Sequence, residues 1–518
     1  MQHQNKIAIA LALAFASSLS CGSAAAADSG PADGCAPGSA AKGLGERFVD
    51  TYGDYLKWNG DPAPAPDADP SYRKDLQAPP LSSPPYPFST WPIGGTETIG
   101  YDNQYYGALM DSLYCGPHGK AWKESRVTVY GWINPSFNVS TSHSRFNFAT
   151  GTGGNYPAAY GYEPNQVQLD QVALYVERTP DVVQKDHNDW GFRIAGLYGS
   201  DYKYTFSKGL LSDQYTKHGR RYGFDPVMMY AEWYTPFVAE GMNVRAGRYI
   251  SIPDIEAQLA PNNYTFTHSL LYTVDPYTKE GVVATIKLSR NWTVQGELSI
   301  GNDIAYWEKD ERRATPAACV AYTTDSADDH IYACLNGAHP VLGNNGKFGW
   351  NNLQHKVISW YHKFNDKLHM STEAYRMTQD GTPNVNDPAG QALLSARYGN
   401  LTYGAPSGAQ CGPDAGPTCQ SREWAFVNYI GYQFGPRDDV TLRTDILDDT
   451  TGQRTGFKTR YYEVGLGWQH WIGKAITLRP EIRWEHARDV DAYDNPSATP
   501  GAGQRTQTMF AMDAIIHF

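Results

Sequence analysis

The sequence predicts an all-β fold: a transmembrane antiparallel up-and-down β-barrel of about fourteen strands, each near the roughly 9–11 residues that cross a bilayer when tilted, behind a proline-rich N-terminal extension. Three observations predict it. The chain begins with an export signal. Its composition is rich in Tyr and Trp yet holds no apolar run long enough for a membrane helix. From Val127 to the end, segments of period two recur, and the links between them alternate short and long.

The leader comes first. Lys6 precedes IAIALALAFA (Ile7 to Ala16), and small residues run to AAAAD (Ala24 to Asp28), the pattern of a signal peptide spanning 1–27 with cleavage after Ala27. A lipidated Cys21 is the rival reading, but Ser18 stands where a lipobox has Leu. The mature chain therefore leaves the cytoplasm. The full chain carries 36 Tyr, 14 Trp and 18 Phe, and only 19% of its residues are charged, below the roughly 25% of a soluble protein. Mean hydropathy is -0.52. A membrane β-barrel hides its apolar surface in alternate residues, so it suits these values; a secreted sandwich or propeller suits them equally. Net charge of -11 argues against nucleic acid as a partner.

Residues 28–120 read as a periplasmic extension. GERFVDTYGDYLKW (Gly45 to Trp58) spaces Phe48, Tyr52 and Tyr55 for a short amphipathic helix, and the proline-rich stretch Asp61 to Gly95 reads as an extended linker or a segment entering the barrel mouth. Six cysteines follow the leader. Cys319 and Cys334, like Cys411 and Cys419, are near neighbours in polar segments read as loops, which suggests local disulfides and leaves Cys35 with Cys115.

The barrel is expected over 121–518, with strands at 127–140, 166–178, 189–199, 226–235, 242–250, 280–289, 292–302, 353–364, 368–378, 422–434, 440–449, 458–471, 475–487 and 507–518. Even-numbered strands lead mostly into short turns such as PFVAEG (236–241), SRN (289–291) and IGK (472–474). Odd-numbered strands lead mostly into long polar links, 303–352 and 379–421 among them. Outer-membrane barrels have short periplasmic turns and long extracellular loops, a parity that a sandwich has no reason to obey. The even count leaves both termini periplasmic. The last stretch, MFAMDAIIHF, sets Phe510, Met512, Ala514, Ile516 and Phe518 on one lipid-facing row of a strand that must pair with the first. Phe518 at the very end resembles the sorting signal read by the outer-membrane assembly machinery.

The opposite faces carry the chemistry. In 475–487, Thr477, Arg479, Glu481, Arg483 and Glu485 alternate with Ile476, Leu478, Pro480, Ile482 and Trp484. Four such charges cannot face lipid, where a mid-depth cation costs roughly 2–4 kcal/mol. Lys287, Glu297, Arg443, Asp445 and Glu463 likewise lie opposite apolar rows, so the interior is wet and bears both signs. These nine side chains are the candidate pore lining; the alternative is that they pair with one another and fill a closed barrel. The loop 251–279 keeps Phe266, Leu270 and Leu271, and Ser251 is placed to cap a short helix from Pro253 carrying Ile255 and Leu259. With Asp254, Glu256, Asn262 and Asn263 it is the constriction candidate if it folds inward, or an outer cap if it does not.

The stretches PPYPFSTWPIGG, YGWINPSFNVSTS (130–142), NQVQLDQVALYVERTPD (165–181), DWGFRIAGLYGSDYKYT (189–205) and, above all, GMNVRAGRYISIPDIEAQLAPNNYTFTHSLLYTVDPYTKEGV (241–282) resemble the OmpL-like β-barrel porin family. The resemblance covers roughly residues 80–302 and implies an outer-membrane barrel with a pore function; it assigns no functional residues. The expected function is passive diffusion of small hydrophilic solutes or ions, with outer-membrane lipid, the assembly machinery and those solutes as partners, and with no cofactor or metal. A structural or adhesive barrel acting through its long loops is the main rival. A barrel enzyme is another, but G-x-S-x-G, H-E-x-x-H and P-loop motifs are missing, and His143-Ser144 and His268-Ser269 are bare neighbour pairs. RDVDAYDN (488–495) offers oxygen ligands for Ca²⁺ without EF-hand spacing. No oligomeric interface is legible.

Overall fold

The computed structural model describes residues 30, 32, 35–58, 99–100, 107–147, 150–158, 160–251, 255–309, 312–326, 328–337, 353–365, 367–398, 408–499 and 501–518. The leader, the whole proline-rich stretch Asp61 to Gly95 and Asp254 lie outside these residues.

Sixteen antiparallel strands close into a barrel, each paired with its sequence neighbours and β1 with β16. They are β1 Val127–Ser140, β2 Gln166–Arg178, β3 Asp189–Gly199, β4 Gly223–Thr235, β5 Met242–Ile250, β6 Thr278–Lys287, β7 Trp292–Asn302, β8 Thr315–Thr323, β9 Asp329–Asn336, β10 Leu353–Lys363, β11 Leu368–Pro383, β12 Thr418–Gly435, β13 Asp438–Asp449, β14 Thr459–Ile472, β15 Ile476–Ala487 and β16 Thr506–His517. The expected count of about fourteen is corrected by β8 and β9, which lie inside the stretch read as the loop 303–352. Cys319 and Cys334 accordingly sit directly opposite each other in those strands, both buried on the inward face, rather than in a polar loop. The other twelve-residue-scale segments coincide with strands, and the added hairpin preserves the parity of the links. Cys35–Cys115 and Cys411–Cys419 are also bonded.

Alternation sorts the side chains as lipid and water demand. Outward rows expose Ile133, Phe137, Val282, Leu298, Ile358, Leu466, Ile482 and Phe510. Aromatic residues stand outward near both ends of the wall. Trp190 faces Trp233, and Trp292 faces Tyr322, at the end with the short turns; Tyr198 faces Phe224 at the end with the long loops. These are the two interfacial girdles of a membrane barrel. Closure leaves no free sheet edge. Even the last residue is used: Phe518 donates its N–H to the Gly131 carbonyl and accepts from the Gly131 N–H.

Among the described residues, three α-helices precede the barrel: α1 Leu44–Lys57, α2 Ala108–Tyr114 and α3 Gly119–Ser125. The Cys35–Cys115 bond ties the segment before α1 to the end of α2. They gather at the short-turn end, where Met110 Sδ lies 3.1 Å from the Val129 amide of β1, below the point where β16 stops.

Candidate functional site

Between β5 and β6 the chain turns into the barrel. The expected helix from Pro253 through Leu259 does not form among the described residues: 255–259 is irregular, and the loop has just two 3-10 turns there, Ala260–Asn262 and Tyr272–Val274. Ile255 and Leu259 are instead buried in the core that this loop shares with the wall. The loop therefore folds inward, and polar wall residues hold it along its length. Arg479 donates to the carbonyls of Ala260 (2.7 Å) and Asn263 (3.1 Å). Arg443 donates to Thr265 Oγ1 (2.7 Å) and the Thr267 carbonyl, and Arg483 to Thr267 Oγ1 (2.7 Å) and the His268 carbonyl (3.0 Å). Glu481 accepts from the Thr267 amide (3.0 Å), Asp445 from the Leu270 amide (3.0 Å) and Glu373 from the Ile255 amide (3.1 Å). Gly467 is part of the fit: a Cβ there would stand 2.7 Å from Thr265 Cγ2.

The wall beneath the loop is an ion-pair lattice. Glu463 lies between two guanidiniums, 2.8 Å from Arg443 and 4.0 Å from Arg483; Arg483 reaches Glu485 at 2.7 Å, and Arg443 lies 3.8 Å from Glu481. Register explains the grouping, since Asp445, Glu463 and Glu485 are cross-strand partners on β13, β14 and β15. Arg479 pairs with Asp513 on β16. Six of the nine predicted pore-lining residues thus form one cluster: Arg443, Asp445, Glu463, Glu481, Arg483 and Glu485. Arg479 adjoins it. Glu297 is elsewhere, paired with Lys279 at 3.0 Å, and Lys287 lies near the short-turn end, 3.3 Å from the Ile99 carbonyl. All nine face inward, and the loop covers the cluster so closely that Arg443 and Arg479 are 1% exposed.

Of the loop candidates, Glu256 is buried, accepting from Tyr429 (2.7 Å) and the Ser269 amide (2.9 Å); burial raises its carboxyl pKa against the opposing pull of Arg443. Asn263 ties the loop to itself through the Ala257 amide and the Ala257 and Leu259 carbonyls. The Asn262 amide closes the 3-10 turn on Leu259. Sequence reading missed the equivalent pairs on the opposite wall: Arg245 with Glu232 (2.8 Å), Arg248 with Asp225 (3.1 Å), and Arg193 with Glu177. The same alternation flags Arg245, Glu232, Asp225, Arg193 and Glu177, whose rows alternate with outward apolar residues; Arg248 shares the parity of Val244 and Ala246 in the outward row of β5, so alternation does not flag it.

Toward the long-loop end, Phe146, Tyr156, Tyr160, Tyr162, Tyr204 and Tyr272 from three loops pack into one aromatic cluster. His268 stacks on Tyr160 at 3.7 Å, and burial lowers its pKa well below the usual imidazole value. Its Nε2 meets the Ala257 carbonyl at 2.7 Å, while the Ser269 hydroxyl donates to Glu256. Ser144 Oγ accepts from the Gly154 amide. Neither His-Ser neighbour pair has nucleophile-to-base geometry. In 488–495, Asp491 pairs with Arg505 and Asp494 accepts from the amides of His143 and Ser144. Among the described residues no group of three or more His, Cys, Asp or Glu is arranged to hold a metal. What the arrangement can do is steric and electrostatic: it narrows a polar lumen with a loop pinned by compensated charges.

The family model described as "Putative beta-barrel porin-2, OmpL-like" matches residues 126–518. None of the curated proteins compared with the chain matches it. Solved structures similar to it include an anion-selective porin from Comamonas acidovorans (11% identity, TM-score 0.43), covering 76% of this chain and 99% of that one. The outer membrane channel DcaP of Acinetobacter baumannii is 10% identical with TM-score 0.45, covering 76% and 97%. OmpT of Vibrio cholerae, in a trimer form, is 9% identical with TM-score 0.41, covering 76% and 99%.

Proposed function

The chain belongs to the OmpL-like β-barrel porin-2 family, and we propose that it lets small hydrophilic solutes or ions diffuse passively across the outer membrane, past the loop 251–279. The observation that carries this reading is the combination of strand number and inner surface. A barrel of about 8 strands is filled by its own side chains, whereas about 16–18 strands enclose an aqueous channel. This barrel has sixteen, and its inner rows are polar and charged. In this reading the cluster Arg443, Asp445, Glu463, Glu481, Arg483 and Glu485, with Arg479, fixes the constriction, while Lys287 and Glu297 line the lumen elsewhere. Glu256, Asn262 and Asn263 shape the loop itself.

The orientation follows from the links: the short turns and the N-terminal extension face the periplasm, and the long loops face outward. Phe518 serves as the signal for the assembly machinery. The barrel acts as a channel rather than an enzyme and needs no cofactor. Single-channel current from the mature protein in a planar bilayer tests the function. Stepwise conductance is the expected result. A silent bilayer, with the barrel shown folded by heat-modifiable gel migration, overturns it. That outcome would favour a structural or adhesive barrel, the reading supported by how fully the inner charges pair and how closely the loop covers them.

A further inference from the structure

Helix α1 is amphipathic on an unusually broad arc. Leu44, Phe48, Val49, Tyr52, Tyr55 and Leu56 share one side, and Glu46, Asp50, Asp54 and Lys57 the other. Part of the apolar arc meets protein: Phe48, Tyr52 and Tyr55 are half-buried. Arg47 Nε donates to the Ser112 carbonyl at 2.8 Å, and the Tyr55 hydroxyl donates to Asp111 at 2.5 Å. The C-terminal end rests on the β14–β15 turn, where the Lys474 amide donates to the Tyr55 carbonyl at 2.9 Å. The approach is tight enough that a Cβ on Gly473 would stand 2.0 Å from that carbonyl. Three of its apolar side chains are bare: Val49 is 69% exposed, Leu44 44% and Leu56 39%.

The position of the helical unit says what covers that face. Val129 belongs to the outward row of β1, with Ile133 and Phe137, and like Leu113 and Trp122 it packs against the cluster of Ala32, Met110 and Tyr114. The unit therefore sits against the outer flank of the barrel rather than wholly beneath the lumen. At its other end, Gly473 directly follows Ile472, and Ile472 and Trp468 form the exposed outward row of β14 at the short-turn end. The bare side of α1 is thus continuous with the lipid-facing belt at its interfacial girdle. We propose that α1 lies in the headgroup–acyl boundary of the membrane leaflet on the short-turn side, with Val49, Leu56 and Leu44 inserted and the acidic face turned to water. The cations in and beside the helix are spent locally, Arg47 on the Ser112 carbonyl, Lys57 on Asp54 and the preceding Lys42 on Asp50. Insertion is therefore driven by apolar burial, and a zwitterionic lipid surface suffices. This inference rests on the membrane barrel and is independent of whether the barrel conducts.

The test uses the full mature protein with its disulfides intact, carrying Val49→Cys or, on the polar face, Asp54→Cys, each labelled with an environment-sensitive fluorophore. Both sites are exposed, so folding is retained and is checked by gel migration. In phosphatidylcholine vesicles, with iodide on both sides, the Val49 label is expected to be quenched several-fold more by a lipid spin-labelled near the carbonyl than by iodide. The Asp54 label should show the reverse. Equal iodide quenching at both sites, with no lipid quenching, overturns the proposal in favour of a helix in water. A Val49 label quenched by neither agent overturns it in favour of a protein partner.

Discussion

The guanidinium of Arg443 is the sharpest place to ask whether wall charges hold the loop. It donates to Thr265 Oγ1, the Thr267 carbonyl and Thr267 Oγ1 on the loop, and to both oxygens of Glu463 on the wall. Arg443→Met keeps much of the volume and removes all of this. Breaking a buried pair by removing one partner costs about 3–5 kcal/mol, largely because a carboxylate, here Glu463, is left without its closest counter-charge. Adding Glu463→Gln removes that carboxylate and restores most of the barrel's stability, yet the loop still lacks its anchor. A hydrogen bond to a charged group contributes about 1.5–3 kcal/mol, so losing the equivalent of one shifts the released-to-pinned ratio of the loop roughly 10- to 150-fold. Single-channel recording of the double variant should then show a larger conductance or frequent transitions to a larger state. Heat-modifiable migration should show the single variant unfolding at lower temperature than the double. Wild-type conductance and gating in the double variant would refute the role of Arg443 as a loop anchor. Equal destabilisation of the two variants would refute the account of the stranded Glu463.

Two more outcomes follow from the same geometry. Replacing Cys319 and Cys334 by Ala opens a link between residues 15 apart, for which the chain-entropy estimate is about 3 kcal/mol; the variant should lose its barrel migration at lower temperature than the oxidised wild type. Burial raises the carboxyl of Asp303 to about 6 and that of Asp201 to about 7, and both lie in loops beyond the strand ends. With folded values above the unfolded value of about 3.9, the packed loops bind more protons than the released ones, so their stability is greatest in acid and is lost as pH rises through about 6 to 7. Hydrogen exchange at 200–204 and 277–278, corrected for intrinsic rates, should therefore show greater protection at pH 5 than at pH 8; Asp303 accepts the amides of Tyr277 and Thr278.

The strands that were legible share one property: bulky outward residues alternate with polar inward ones, as in β15. β8 lacks that contrast, whereas β9 keeps it over only eight residues, with Ile331 and Leu335 outward and His330 and Asn336 inward. In TPAACVAYT the inward row holds Ala317, Cys319 and Ala321 and the outward row Pro316, Ala318 and Val320, so both faces read as small and apolar and the period vanishes. The adjacent cysteines then suggested a loop clip, although a cross-strand pair explains the same spacing. The apolar residues of 251–279 were rightly odd for an exposed loop, but their spacing mimicked a helix. Ile255 and Leu259 are apolar because the wall covers them, not because a helix has a face. Charge partners were illegible for a different reason. Arg479 meets Asp513 and Arg443 meets Glu463 only through strand register, which one strand's pattern does not contain.

The pairing changes what the charged inner row is for. A free row of Arg and Glu would act on solutes through its field, but here each guanidinium of β13 and β15 has a carboxylate of a neighbouring strand, or of its own, within ion-pair distance. Burying such pairs brings little net stability compared with apolar packing, so stability alone does not account for them. What they supply is direction. An arginine fixed by a carboxylate still has N–H groups to spare, and those of Arg443, Arg479 and Arg483 all point to backbone carbonyls or hydroxyls of residues 260–268. Glu481 takes the Thr267 amide and Asp445 the Leu270 amide just beyond. An irregular loop has no ladder of its own to satisfy its polar backbone, and inside a barrel it must find partners on the wall. The alternating charges of β13–β15 provide both donors and acceptors at strand spacing, which lets a loop without regular structure hold one path across the lumen.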